Sequence, residues 1–215
     1  MKFKSGIYVA LLAVLLVLGL GSCRSHRNVA GSQPENEVCE ELPWQSVEMP
    51  VRLELTAPTH FSASGKAVMV NGEYVSVSIR KMGFEVASLY VDSDSLYVII
   101  KPLRLAYVEG FDRIERATDM SFGDLQKAML GQGRLPDGLV RFVVSNMEQS
   151  PAGTVYSDIE VSTRVSGRDL NGKLHWSLDD ARWNTGASRE RPSIPNSYDR
   201  VDTPALIRML RSLSL

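Results

Sequence analysis

Residues Met82 to Glu109 read M-G-F-E-V-A-S-L-Y-V-D-S-D-S-L-Y-V-I-I-K-P-L-R-L-A-Y-V-E, and this pattern decides the fold. Phe, Val, Tyr and Ile, which suit a pleated surface, fill three segments, while Asp92 to Ser95 and Lys101-Pro102 supply the turn chemistry between them. The stretch predicts an antiparallel meander. Phe84, Val86, Leu89, Val91, Leu96, Val98, Ile99 and Ile100 put apolar side chains on both faces of these strands, so this part of the sheet needs a cover on both sides.

Moving toward the N-terminus, Glu73 to Arg80 carries Val75, Val77 and Ile79 inward and Tyr74, Ser76 and Ser78 outward. Asn71-Gly72 precedes it as a hairpin dipeptide suited to the positive φ angles of a type I′ turn. Phe61 to Val70 then alternates with Phe61, Ala63, Ala67 and Met69 on one face, and Val51 to Leu55 forms the first strand, ended by Ala57-Pro58.

Toward the C-terminus, Ser121 caps one helix in which Phe122, Leu125, Met129 and Leu130 recur at helical spacing, with Gly131 and Gly133 as its stop. Strands resume over Leu139 to Met147, Thr154 to Val165 and Lys173 to Leu178, with a short one around Trp183. Thr185 to Ser193 reads as a polar loop. Thr203-Pro204 opens a weakly amphipathic terminal helix with Leu206, Met209, Leu210 and Leu213 on one side.

The N-terminus sets the compartment. Lys2 and Lys4 precede an apolar run, Ile7 to Gly21, of about 15 residues, short of the ~20 that span a bilayer. It reads as a signal peptide over residues 1–22. Leu20-Gly21-Ser22-Cys23 has the order of a bacterial lipobox, which makes Cys23 the lipid-attachment residue. By resemblance to the best-studied Gram-negative lipoproteins, in which an aspartate after the cysteine signals retention in the inner membrane, Arg24 implies the outer membrane, with a periplasm-facing domain expected. Residues 23–43 are polar and form a tether, whose root-mean-square reach at ~5 to 6 Å times √n is near 25 Å. The folded domain is residues 44–215.

Composition narrows the chemistry. A net charge of -1 in 215 residues, with no basic block interleaved with aromatics, argues against nucleic acid as a partner. The three histidines, His26, His60 and His175, show no metal-ligand spacing, so neither a metal site nor a cofactor is expected. Cys39 lies alone in the tether. Asp92-Ser-Asp94-Ser95 lacks the sixth-position glycine and closing glutamate of a calcium loop and reads as a solvated turn. Adjacent Asp179 and Asp180 would face opposite sides of a strand and also fit a turn better than an acid and base pair. With the phosphate, dinucleotide and serine-hydrolase motifs missing as well, the chain is not read as an enzyme. Tyr90, Tyr97, Tyr107, Phe142 and Trp176 are either ordinary core or the wall of an apolar cavity.

From about Val51 to Tyr198, the order F-S-A-S-G-K-A at 61–67, V-S-V-S-I-R-K-M-G-F-E-V-A-S-L-Y-V-D-S-D-S-L-Y-V at 75–98, a tyrosine at 107, a short helix and I-P-N-S-Y at 194–198 resembles a family of uncharacterised bacterial envelope lipoproteins. That family is itself similar to the lipoprotein-localisation factors LolA and LolB. The resemblance implies a mainly β (α+β) domain, a single antiparallel sheet curled into an unclosed LolA/LolB-like barrel with a few helices over its open side. It further implies an apolar cavity for a lipid or acylated, lipoprotein-like ligand. By position Phe84, Leu89, Leu96, Val98, Val140, Phe142, Ile159 and Trp176 become cavity-lining candidates, with Phe122, Leu125 and Met129 as lid candidates. The chain departs from these carriers in showing no helix ahead of its first strand and an extra one after Tyr198. Two functions are therefore expected to compete: an outer-membrane-anchored binder of an acyl-chain or lipoprotein ligand in envelope assembly or lipoprotein localisation, and a packed interaction lipoprotein that recruits a periplasmic protein partner.

Overall fold

The computed structural model describes residues 44–55, 60–132, 140–165, 170–202 and 205. Cys23, the signal peptide, the tether with Cys39, and the body of the terminal helix lie outside the described residues. The meander is present as β4 (Phe84–Asp92), β5 (Ser95–Ile100) and β6 (Leu105–Gly110). Before it run β1 (Ser46–Leu55), β2 (Phe61–Val70) and β3 (Tyr74–Lys81), and after it β7 (Val140–Ser150), β8 (Gly153–Val165) and β9 (Leu170–Ser177). Two short strands, β10 (Arg182–Trp183) and β11 (Asp199–Val201), complete one eleven-stranded sheet ordered β11-β6-β5-β4-β3-β2-β1-β9-β8-β7, with β10 alongside β1.

The two ends of that order, β11 and β7, are not joined to each other, so the sheet is unclosed as expected. It is mixed rather than wholly antiparallel, because β11 runs parallel to β6, Asp199 opposite Leu105 and Val201 opposite Tyr107. β11 escaped the sequence reading because three residues carry no periodicity. The helical region also differs: it holds two helices, α1 (Phe111–Thr118) and α2 (Phe122–Met129), where one was expected. α1 is polar along most of its length and starts directly at the end of β6, so its sequence offers little apolar pattern. α2 begins as read, with Ser121 and Asp124 in a reciprocal capping box.

The turns were partly misassigned. The β2–β3 loop has three residues, 71–73, of which only Gly72 has positive φ. The two-residue turn with both angles positive is Met82-Gly83 (φ 51° and 84°), closed by the pairing of Lys81 with Phe84. Gly65 answers a different demand: a Cβ there would lie 2.1 Å from the Ser78 carbonyl oxygen on β3.

Register fixes two faces. On the inner face Val47, Met49, Leu53, Met69, Val75, Val91, Leu96 and Val98 form one apolar cluster, and Phe111 and Ile114 of α1 and Phe122, Leu125 and Met129 of α2 pack onto it. On the outer face Val68, Tyr74 and Tyr90 form a second cluster with Val70, Tyr97 and Ala187. The chain after β10 supplies that outer cover before rejoining the sheet edge as β11. Both covers required by the doubly apolar strands are therefore present.

Candidate functional site

The inner face and its helical cover hold most of the residues expected at a ligand site. Leu96 and Val98 on β5 are 1% and 0% exposed, and Trp176 on β9 is also buried. Leu89 is half-buried against the same cluster. All four are in direct reach of a core that α2 closes: Phe122 packs edge to face on Phe111 at 5.8 Å, and Leu125 and Met129 are half-buried on the cluster. Nearly zero exposure at Leu96, Val98, Ile100 and Leu130 means that no water-sized space touches these side chains. For Val140, Phe142 and Ile159 only the backbone is described. Ile159 stands opposite Trp176 and Val144, Phe142 opposite Val161, and Val140 opposite Thr163.

Phe84 does not join them. It is 78% exposed, beside Met82 at 89%, because the tight Met82-Gly83 turn carries the start of β4 past the edge of the core. A β-bulge between Ile79 and Arg80 then restores the register, so that Ala87 pairs with Ile79 and Leu89 with Val77. The tip is thus apolar at its end and basic at its base. Arg80 and Lys81 flank it, the Lys81 ammonium sitting 4.8 Å from the Phe61 ring centroid and donating to the Ser62 carbonyl. A methionine with φ of 51° is uncommon, since a long side chain gains nothing from a left-handed backbone. An X-Gly pair between two alternating strands was the available signal for this turn.

α2 is held by polar contacts at its inner side. Gln126, 3% exposed, donates Nε2 to the Val70 carbonyl at 2.8 Å and accepts the Gly72 amide at 2.9 Å. The Trp176 indole N–H donates to the Met129 carbonyl at 2.8 Å. Asp124 is held below the usual carboxylate range by hydrogen bonds from the Ser121 hydroxyl and backbone, which secures the first turn.

The outer face was the region that sequence patterning missed. Residues 184–191 form a belt across it. Asn184 accepts the Gln45 amide through Oδ1 and donates its own amide to the Ser46 carbonyl. Ala187 packs on the Val68, Tyr74 and Tyr90 cluster, in which Tyr74 and Tyr90 stack at 5.3 Å. Arg189 pairs with Glu85 at 3.3 Å, and Arg191 pairs with Asp92 at 2.6 Å and Asp94 at 3.2 Å. Next to the belt, Glu48 on β1 binds both Lys66 and Arg182. Burial alone would raise the Glu85 carboxyl, but the Ser78 hydroxyl, Lys101 and Arg189 outweigh it and lower its pKa. Burial, with Asp92 adding to it, pushes the Tyr90 phenol up, and burial does the same to Tyr74. Tyr90 and Tyr97 therefore belong to the outer cluster and Tyr107 to the inner one, so the three successive tyrosines do not line one surface.

The turns read at Asp92 to Ser95 and at Asp179-Asp180 are turns. Asp92 Oδ1 accepts the amides of Asp94 and Ser95, while both Asp179 and Asp180 are exposed. Among the described residues no group of three or more His, Cys, Asp or Glu side chains is arranged to hold a metal ion.

No protein-family model matches the chain, and no curated protein matches it in sequence. Among solved structures it is similar to the LolA superfamily protein NE2245 from Nitrosomonas europaea, at 13% identity over 70% of this chain and 89% of that one, with a TM-score of 0.40. It is also similar to a DUF1329 family protein from Desulfovibrio piger, at 10% identity over 87% of this chain and 96% of that one, TM-score 0.42. A third similar structure is a putative outer membrane lipoprotein-sorting protein domain from Vibrio parahaemolyticus, at 10% identity over 68% and 88%, TM-score 0.31. LolA-superfamily and DUF1329 proteins are thus among the structures that this chain is similar to.

Proposed function

We propose that this chain is a non-catalytic, lipid-anchored protein of the outer membrane, facing the periplasm, that handles acyl chains or acylated proteins at a lipid surface during envelope assembly or lipoprotein localisation. The observation that carries the reading is the Met82-Gly83-Phe84 tip, where two large apolar side chains stand in solvent above Arg80 and Lys81. Exposing both costs the monomer hydrophobic burial, and the arrangement fits the boundary between headgroups and acyl chains, with cations at headgroup level. The inner face supplies the apolar surface for a ligand, and α2 is the element that must lift to admit one. Cys23 supplies the anchor.

The direct test is flotation of residues 24–215, without the signal peptide and the lipidated cysteine, with vesicles of phosphatidylethanolamine and phosphatidylglycerol. The chain is expected to float with the vesicles, and Met82→Ser/Phe84→Ser to remain at the bottom of the gradient with its fold intact. Equal flotation of the two proteins would sink the tip's role. Mass spectrometry of lipids carried through purification tests the inner site.

A second reading is favoured by the tight packing of Leu96, Val98, Ile100 and Leu130: a filled interaction domain that recruits a periplasmic protein. Under it the purified protein carries no lipid, and crosslinking in cells yields one stoichiometric partner.

A further inference from the structure

The β2–β3 turn is gripped from both sides of the sheet. From the inner side Gln126 of α2 holds the Val70 carbonyl and the Gly72 amide. From the outer side Val70 packs against the cluster of Val68, Tyr74 and Tyr90, on which the belt residue Ala187 also packs. Asn71 ties the same turn to the start of β1, its amide donating to the Gln45 carbonyl and its side chain to that of Trp44. Asn184, at the start of the belt, binds Gln45 and Ser46 there as well. Val70 therefore meets α2 through its backbone, while its side chain shares with the belt residue Ala187 the cluster of Val68, Tyr74 and Tyr90.

The belt's own attachment is uneven. Arg189 and Arg191 fasten it to Glu85, Asp92 and Asp94 by polar contacts that water can replace. On the face it covers, the Ser46 and Ser76 hydroxyls are buried with no hydrogen-bond partner. Burying a hydroxyl unpaired is unfavourable, so lifting the belt rehydrates these groups and offsets part of the lost pairing. A cover with this balance opens more readily than the apolar inner core.

We infer that the belt is a releasable clasp whose hold on the outer face is transmitted through the Val70 to Tyr74 turn to α2 on the inner face. Release of Arg189 and Arg191 frees Ala187 from the outer cluster, the turn loosens, and the two hydrogen bonds to Gln126 are lost with it. Coupling of this kind is reciprocal: loosening α2 must loosen the belt. The inference concerns the helix that the acyl-ligand reading makes a lid, and it is tested by amide exchange, which needs no ligand.

Hydrogen exchange on the full chain compares the parent with Arg189→Gln/Arg191→Gln, and with Arg116→Gln, which breaks an exposed pair with Asp112 on α1. The belt variant is expected to speed exchange by about fivefold or more in α2 as well as in the belt, leaving β5 amides protected, while the α1 variant changes neither. Fast exchange in the belt with α2 unchanged overturns the coupling. Gln126→Ala asks the same question in reverse and serves if the double variant does not fold: faster exchange across 184–191 supports the clasp, and an unchanged belt overturns it. Coupled exchange without any acyl-ligand uptake would reject the carrier reading and leave the clasp standing.

Discussion

The two faces of one sheet are covered by different physics. On the inner face α1 and α2 lay Phe111, Phe122, Leu125 and Met129 onto Val75, Leu96 and Val98, and most of the contact is apolar and non-directional. On the outer face an irregular belt is fixed by named pairs, Arg189 to Glu85 and Arg191 to Asp92, over stacked tyrosines. The same strands serve both covers, since Tyr74 and Val75, or Tyr90 and Val91, are neighbours pointing in opposite directions. The inner cover rests mainly on an apolar stripe, with Gln126 and the Trp176 indole fixing where α2 sits. The outer one depends on arginines about a hundred positions away from their carboxylates.

This difference can be broken by substitution, beginning at the inner face. Leu96→Ala, at 1% exposure, removes packing that no water-filled space can replace and should cost about 3 kcal/mol in urea denaturation. A loss below roughly 1 kcal/mol would mean that this core collapses easily around the space left. Gly65→Ala should cost about 2 kcal/mol by the same measurement, because the new methyl meets the Ser78 carbonyl and the β2–β3 ladder must part.

Outer-face changes should be smaller. Glu85→Gln is expected to cost roughly 1 kcal/mol at neutral pH, after allowing for the solvent that screens Lys101 and Arg189. The sign of its pH dependence follows from its lowered pKa. A carboxylate favoured in the folded state stabilises the fold above its unfolded pKa of about 4.3, and that contribution disappears as pH falls through the folded value. Thermal melts from pH 7 to pH 3 should therefore fall further for the parent than for Glu85→Gln, and parallel curves would remove Glu85 from the outer clasp. The smallest effect belongs to Met82→Ser/Phe84→Ser: with both side chains in solvent, stability should move by no more than about 0.5 kcal/mol while flotation with vesicles is lost.

Much of the architecture was legible because it repeats locally. Val75, Val77 and Ile79 alternate with Tyr74, Ser76 and Ser78, and that period alone gives strand, face and core. Phe84 misled for the same reason: it continues the apolar pattern of β4, but the turn before it and the bulge opposite place it outside the core. Nothing in the local pattern of a short helix singles out Gln126. Its burial and its two hydrogen bonds to the β2–β3 turn come from where that helix docks.

The sequence by itself determined that strands of 82–109 form a meander, that both of its faces must be covered, and that Ser121 opens a helix able to cover one of them. Only the tertiary structure decided what covers the other face, which hydrophobic residues remain outside, and that β11 runs parallel along β6. Alternation and capping are read within a few residues, where backbone geometry ties position to direction. The belt, its ion pairs and the exposed tip depend on which distant segments meet, and charge and apolar character carry no address for their partners until the chain has folded.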